Sequence, residues 1–292
     1  MVGPHMLSID VEHWYDATLA TAPVAPQPDF ARRELDSVLG LLDEHGARAT
    51  FFVLGGLASE LPESVRAIAA AGHEVACHGL SHDLLWQVGE ERFRREVKDA
   101  KAILEDLAGT GVHGYRAATW SLTPRSAWAV EALVDLGFLY DSSVFPLRTP
   151  LYGVAGAPSS PYRLQGRAGS GPILELPPAV QSWFGLRVPV AGGIYWRLLP
   201  SALVVAALRG SAPRVLYAHP WEVAPAGWSL PASAGAVARL SMGFGRGHLR
   251  RLLGDLLRQV TFVPMGSRVP EIARQPLETW AFSGDGLVPA GH

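Results

Sequence analysis

The chain has 292 residues, 48% of them hydrophobic, a formal net charge of −2 and a single cysteine. The length suits one large barrel or open-sheet domain with an ample core, and the near-neutral balance excludes an electrostatic footprint for nucleic acid. Cys77 alone excludes an intramolecular disulfide, and no apolar run approaches a membrane span, Ser201 to Leu208 coming nearest.

The N-terminal Met1-Val2-Gly3-Pro4-His5-Met6 lacks the basic and apolar regions of a secretory signal, so the expected location is the cytoplasm. Gly3-Pro4-His5-Met6 is compatible with a cloning scar, and His5 is given no functional weight. Leu7 to Ile9 reads as a strand ending at Asp10-Val11-Glu12, followed by a Pro/Ala-rich loop from Ala20 to Pro28. Asp29 caps a predicted helix carrying Leu35, Val38, Leu39 and Leu42 at helical spacing, and Gly46 stops it. Ala49 to Leu54 is an unbroken apolar run, as expected of a strand buried on both faces. A helix is predicted from Pro62 to Gly72, then a strand from His73 to Cys77 that delivers His78 and His82.

If the backbone turns helical just after Cys77, the two histidines share one face at i and i+4. An amphipathic helix follows from Gly89 to Leu107, and a short strand from Val112 to Tyr115 runs into Arg116. Thr123-Pro124 opens a helix ended by Gly137, and Phe138-Leu139-Tyr140 leads to Asp141. From Phe145 to Gly193 the alternation breaks, with one clear strand at Ile173 to Leu176. A helix to Leu208, a strand from Arg214 to Ala218, a helix from Gly247 to Gln259 and a strand from Val260 to Val263 complete the pattern. The core is therefore placed at about 7–263 of one domain spanning 1–292, with an irregular tail at 264–292.

Strands alternating with helices imply a parallel sheet. Asp10, His78, Arg116, Asp141 and His219 all fall at the C-terminal ends of predicted strands, the rim where a β/α barrel gathers its catalytic groups. Glu12, His78 and His82 supply one oxygen and two nitrogens, a donor set suited to a divalent cation (Zn first, with Co, Ni or Fe as alternatives) that keeps a position open for water. On an extended segment Asp10 points the same way as Glu12 and would act as general base, held ionised by Arg116. His219, from a separate strand, would protonate a departing nitrogen. Such a set describes hydrolysis of an amide or ester.

Each residue also has a bland reading. The histidine pair suits an exposed helix, Asp10 and Glu12 suit a loop, Arg116 suits a surface ion pair, and His219 before Pro220 simply ends a strand. Asp141, beside Ser142 and Ser143, equally reads as a turn cap. Trp14, Trp120, Trp183, Trp196 and Trp221, with Tyr115, are sugar-contacting candidates only where they reach the mouth; otherwise they are core. Cys77 reads as a small buried residue, and His13, His45, His113 and His248 as structural.

As a set, these residues resemble the polysaccharide deacetylases of the NodB-homology type (carbohydrate esterase family 4), closest to the branch found beside exosortase and exopolysaccharide genes. The resemblance rests on Ser8-Ile9-Asp10-Val11-Glu12, Thr50-Phe51-Phe52-Val53, His73 to His82, Gly114-Tyr115-Arg116-Ala117 and Tyr140 to Pro146. It continues through Gly192-Gly193-Ile194-Tyr195 and Leu216 to Glu222, spanning Leu7 to about Val263. It implies a distorted β/α barrel with fewer than eight strands, a divalent metal and removal of N-acetyl groups from a sugar, glycan or glycoconjugate precursor. By motif, Asp10 takes the place of the family's base, His78 and His82 those of its metal histidines, His219 that of its acid and Arg116 that of the tethering arginine. Val11 stands where the commoner pattern has a second aspartate, so Glu12 supplies the carboxylate ligand. Arg116-Ala117-Ala118 replaces an Arg-x-Pro pattern, and the partner of His219 stays open. The alternatives are a metal-free amidohydrolase acting on a small cyclic amide or imide, and a barrel that binds glycan without turnover.

Overall fold

The computed structural model describes residues 4–16, 28–167, 170–209, 212–224, 239, 242 and 244–290; the side chains of 28–30 and 246 are excepted. The expected loop from Ala20 to Pro28 and the cap at Asp29 lie outside the described residues or side chains.

Strands β1 (His5–Val11), β2 (Thr50–Val53), β3 (Glu74–Cys77), β4 (Gly114–Tyr115) and β5 (Tyr140–Asp141) are successive parallel neighbours. β6 (Tyr162–Gln165) pairs antiparallel with β7 (Ile173–Glu175), which is itself parallel to β5. β8 (Val180–Trp183) and β9 (Leu186–Pro189) form a separate hairpin, and β10 (Val215–Ala218) returns parallel to β1. A bridge between Pro178 and Val215, with the Ala179 N–H on the Val215 carbonyl at 2.9 Å, links the chain after β7 to β10 and closes the ring. The result is a barrel-like parallel sheet, β10-β1-β2-β3-β4-β5-β7, with helices outside it, short of the full eight strands as expected.

Period-2 alternation divides each barrel strand between two layers. Leu7, Ile9, Val11, Phe51, Val53, Val75 and Cys77 face outward and pack with Leu35, Val38, Val65, Ile68, Phe93, Val97 and Leu104 of the surrounding helices. Met6, Phe52, Ala76, Tyr140 and Leu174 form the second cluster, inside the ring. Helices Pro28–Glu44, Pro62–Ala70, Glu90–Ala108, Ser201–Leu208 and Arg246–Gln259 lie where the periodicity placed them. The long central helix ends at Gly109, whose φ of 67° is the left-handed cap glycine adopts without strain.

Three expectations are corrected. The chain after Cys77 does not turn helical: residues 78–84 form a loop, and helix begins only at Leu85. The stretch from Phe145 to Gly193 holds four strands, not one. The tail is not irregular either. β11 (Phe262–Val263) pairs with the start of β1, and Met265, Val269 and Ile272 fill the N-terminal end of the barrel. Beyond it, β12 (Thr279–Ser283) adds parallel to β6 and β13 (Gly286–Pro289) antiparallel to β12. His5 and Met6 are buried within β1, and His5 Nδ1 accepts the Arg214 N–H at 3.1 Å.

Candidate active site and metal centre

The sheet delivers Glu12, His78, Arg116 and His219 just past the C-terminal ends of β1, β3, β4 and β10. His82 reaches them by another route. The carbonyls of Gly79 and Leu80 accept the N–H groups of Gly55 and Gly56 at 2.8 and 2.9 Å, pinning the loop to the first turn of helix Gly55–Glu60. That contact requires glycine, because a Cβ on Gly55 would sit 2.8 Å from the Ala100 Cβ. Gly79, at φ 94°, then reverses the chain so that His82 turns back toward the barrel.

His82 Nε2 lies 2.7 Å from Glu12 Oε2, and His78 Nε2 lies 3.8 Å from the same oxygen. One ligand atom from each of the three residues falls within 4.8 Å of the others. His78 Nδ1 sits 2.8 Å from the Arg116 carbonyl, to which its N–H donates, leaving Nε2 free to face the cluster. The donor set, one carboxylate and two imidazoles with a backbone carbonyl orienting one ring, fits a divalent cation. Burial opposes ionisation of Glu12, but His82 and His219 hold its carboxyl well below the usual range.

Asp10 belongs to a second, adjoining network. Arg116, 1% exposed, donates through Nη1 to Asp10 Oδ1 at 2.6 Å and to Ser8 Oγ at 2.7 Å. Its Nε and Nη2 donate to the Ser142 carbonyl and hydroxyl at 3.2 and 2.9 Å, and its guanidinium lies 4.2 Å from the Phe52 ring centroid. Every contact fixes the fork in one orientation, so Asp10 meets a rigid cation.

His219 has the partner the sequence left open. Its Nδ1 is 2.7 Å from Glu222 Oε2, three residues on in a short helical turn begun by Pro220. Glu222 in turn pairs with the buried Arg197 at 2.9 Å. His219 Nε2 is thereby left facing the cavity, 3.7 Å from Glu12 Oε1, and the ring stacks on Trp221 with centroids 5.0 Å apart. Burial pushes the imidazole down, yet Glu222 and Glu12 together raise it to about 9. The spacing His-Pro-Trp-Glu carried a signal for Glu222; Arg197, from a distant helix, carried none.

These groups open on one cavity of about 510 Å³, whose walls include Trp120, Tyr152, Ile194, Tyr195, Tyr217 and Trp221. Thr119 and Trp120 on its rim have φ of 52° and 47°, consecutive non-glycine residues in the left-handed region. The hydroxyls of Tyr152 and Tyr195 meet at 2.7 Å in the same lining, where the Tyr152 ring lies 5.6 Å from that of Trp120.

Not every candidate reaches the cavity. Trp120 and Trp221 line it, whereas Trp14 is buried against Tyr15 and does not. Trp196 is wholly core, donating to the Val190 carbonyl, and Trp183 sits on the β8–β9 hairpin. Tyr115 points outward from β4 into Phe93 and Phe138, because the register that aims Arg116 inward turns its neighbour out. Asp141 likewise faces outward, bonded by Ser143 and opposite Glu175 on β7. Cys77 is buried among core residues, its thiol pushed up to about 12, and is outside the triad.

Residues 28–138 match the family model described as polysaccharide deacetylase, and residues 142–269 match a domain of unknown function, DUF3473. The family model is narrower than the Leu7-to-Val263 span expected: it takes in His78, His82 and Arg116, while His219 and Glu222 fall in the second match and Asp10 and Glu12 precede both. A chitooligosaccharide deacetylase of Rhizobium leguminosarum bv. trifolii is 34% identical over 121 residues, covering 34% of this chain and 56% of that protein. A solved structure from Mycobacterium smegmatis described as a polysaccharide deacetylase is 26% identical and superimposes with a TM-score of 0.60 over 96% of this chain and 93% of its own. The structure of Puue allantoinase, 19% identical with a TM-score of 0.60 over 93% and 90% of the two chains, shares the fold. Residues 28–138 thus carry a polysaccharide deacetylase domain, set in the fold of the solved deacetylase structure.

Proposed function

We propose that the protein is a hydrolase that removes the acetyl group from the nitrogen of an N-acetylated sugar. One observation carries the reading: the Glu12–His78–His82 triad, the Arg116-clamped Asp10 and the Glu222-held His219 converge on one cavity. The names of relatives support the substrate class, since they include chitooligosaccharide and peptidoglycan-N-acetylglucosamine deacetylases.

A divalent cation on the triad, zinc first by donor set, would polarise the acetyl carbonyl and ease deprotonation of water. The chain's own residues do the remaining work. Asp10 accepts the proton of the attacking water at a carboxylate that Arg116 holds in place. His219 donates from Nε2 to the departing nitrogen while Glu222 fixes the opposite edge of its ring. Trp120, Tyr152, Tyr195 and Trp221 offer rings on which a sugar face stacks, and their packing excludes water from the reacting amide. The intact triad favours this reading over a metal-free attack on a cyclic amide, and the presence of both Asp10 and His219 favours it over glycan binding without turnover.

The test is acetate release from N-acetylglucosamine oligomers by purified protein, before and after chelation and zinc re-addition. Release that stops with chelator and returns with zinc is expected. Acetate release indifferent to chelation would remove the metal from the reading, and none under any metal would remove deacetylation.

A further inference from the structure

The stretch from Leu176 to Trp221, which supplies one part of the cavity lining and runs on beyond it, has an unusual charge pattern. It contains no aspartate or glutamate, while it carries Arg187, Arg197, Arg209 and Arg214 besides the cavity-facing His219. Glu222 neutralises Arg197. The other three have neutral partners among the described residues: the Pro146 and Ala157 carbonyls for Arg187, the Val180 carbonyl and Gln181 amide for Arg214, and the Gln259 amide for Arg209. The hairpin therefore carries Arg187 on β9 and holds Arg214 at its base through Val180 and Gln181, neither arginine ion-paired to an acid among the described residues.

The β8–β9 hairpin projects from this stretch as its own two-stranded sheet. Trp183 pairs with Leu186 across a two-residue turn, Phe184-Gly185, with φ of 51° and 81°. Two positive φ values define the primed turn that matches strand twist, and Asn-Gly fills it with least strain. Phenylalanine is a poor choice on two counts. A bulky side chain is strained in the left-handed region, and this ring is 106% exposed, beside Leu186 at 71%. No packing within the described chain compensates for either cost. Trp183, adjacent, packs on the aromatic cluster of Trp120, Phe145 and Tyr217, two of which line the cavity. Helix Ser201–Leu208, in the same acid-free stretch, bears no charge and exposes Ala202, Leu203 and Ala206.

We propose that the β8–β9 hairpin is a docking element for an anionic lipid surface. Phe184 and Leu186 enter the boundary of the acyl region, Trp183 sits at headgroup level, and the arginines meet lipid phosphates. No helix of the described residues is long and apolar enough to cross a membrane, so the contact is interfacial. A second copy of the chain would also cover Phe184, but the hairpin and its base present Arg187 and Arg214 without an acid paired to either among the described residues, so two such hairpins repel each other.

The test is co-sedimentation of the full chain with vesicles of phosphatidylcholine alone or with added phosphatidylglycerol. Binding is expected to the anionic vesicles and to weaken as salt rises. Phe184→Asn should reduce it about ten-fold or more, while the thermal midpoint stays level or rises because asparagine suits the turn. Arg209→Gln should weaken binding to anionic vesicles while leaving the fold intact. Absence of binding to anionic vesicles, equal binding by wild type and Phe184→Asn, or self-association abolished by that substitution without vesicle binding would each overturn the proposal. The readout is vesicle binding and not acetate, so it fails or succeeds independently of the deacetylase reading.

Discussion

Asp10 and Glu12 stand two residues apart at the end of β1, yet they answer to different neighbours. Glu12 is surrounded by imidazoles, with His82 at 2.7 Å, while Asp10 meets only Arg116 at 2.6 Å among ion-pair partners. The two carboxylates should therefore separate in experiment. Asp10→Asn is expected to lower acetate release by at least about a hundred-fold, the scale of a lost general base, with zinc per chain unchanged by elemental analysis. His82→Ala should lose the zinc as well as the activity. Zinc retained in His82→Ala, or lost in Asp10→Asn, would reverse the two assignments. Glu222 tests the third arm. Glu222→Gln keeps the shape and an acceptor for His219 Nδ1 but removes the charge shared with Arg197. kcat should fall roughly ten- to a hundred-fold with KM little moved, and unfolding should come about 3 kcal/mol sooner because Arg197 is left buried without its counter-charge. A variant whose kcat is intact despite that loss of stability would make Glu222 a structural residue alone.

At the scale of elements, what the sequence revealed depended on how local the signal was. The barrel strands were legible because each is an apolar run delivering a polar residue, as Leu7–Ile9 delivers Asp10 and Val215–Ala218 delivers His219. The helical periods of Glu90–Ala108 and Arg246–Gln259 were equally plain. The histidine pair was right in membership and wrong in mechanism: its i, i+4 spacing imitates a helix, whereas the loop is held by long-range bonds from Gly55 and Gly56 that no local pattern encodes. β6, β8, β9, β12 and β13 escaped because strands of four or five residues among Pro and Gly carry too few alternations to register. Tyr115 and Asp141 were misplaced for a related reason, since proximity to a strand end does not say which face a side chain takes. The cavity's second wall depends on one such unreadable contact. A Cβ on Gly192 would sit 1.7 Å from the Tyr217 carbonyl, at the turn that presents Ile194 and Tyr195 to the cavity. Gly192→Ala is expected to cost about 3 kcal/mol or more in chemical denaturation, the upper end of overpacking, and to raise KM more than it lowers kcat. Wild-type KM and stability in that variant would mean that the wall adapts freely.

Across the whole molecule, the barrel wall separates two acidic centres with opposite electrostatics. Inside the mouth, His82 and His219 face Glu12 and Arg116 faces Asp10. Outside the wall, Asp141 and Glu175 face each other on neighbouring strands, both fully buried. The groups around them are Ser143, the hydroxyls of Tyr115 and Tyr162, and Arg116 at longer range. Burial raises both carboxyls, Asp141 to about 6 and Glu175 higher through repulsion by Asp141, so the pair retains a proton where exposed carboxyls have lost theirs. Each carboxyl is followed by a residue that serves the site: Ser142, next to Asp141, holds Arg116 against Asp10 through its carbonyl and hydroxyl, and is anchored on the carbonyl of Leu176, next to Glu175, at 2.7 Å. The folded state therefore binds more protons than the unfolded chain from about pH 4 upward, through the Asp141 value of about 6 and on toward that of Glu175 above it. With raised folded pKa values, the pair's contribution to stability is fully present below about pH 4 and is lost as pH rises, through about 6 as Asp141 ionises and further as Glu175 follows. Asp141→Asn removes one titrating group and leaves an amide that donates to Glu175. Its stability relative to wild type should accordingly improve by roughly 1–3 kcal/mol between pH 5 and pH 8, measured by urea denaturation at each pH. A constant difference between variant and wild type across that range would mean that the two carboxyls do not share a proton in the fold.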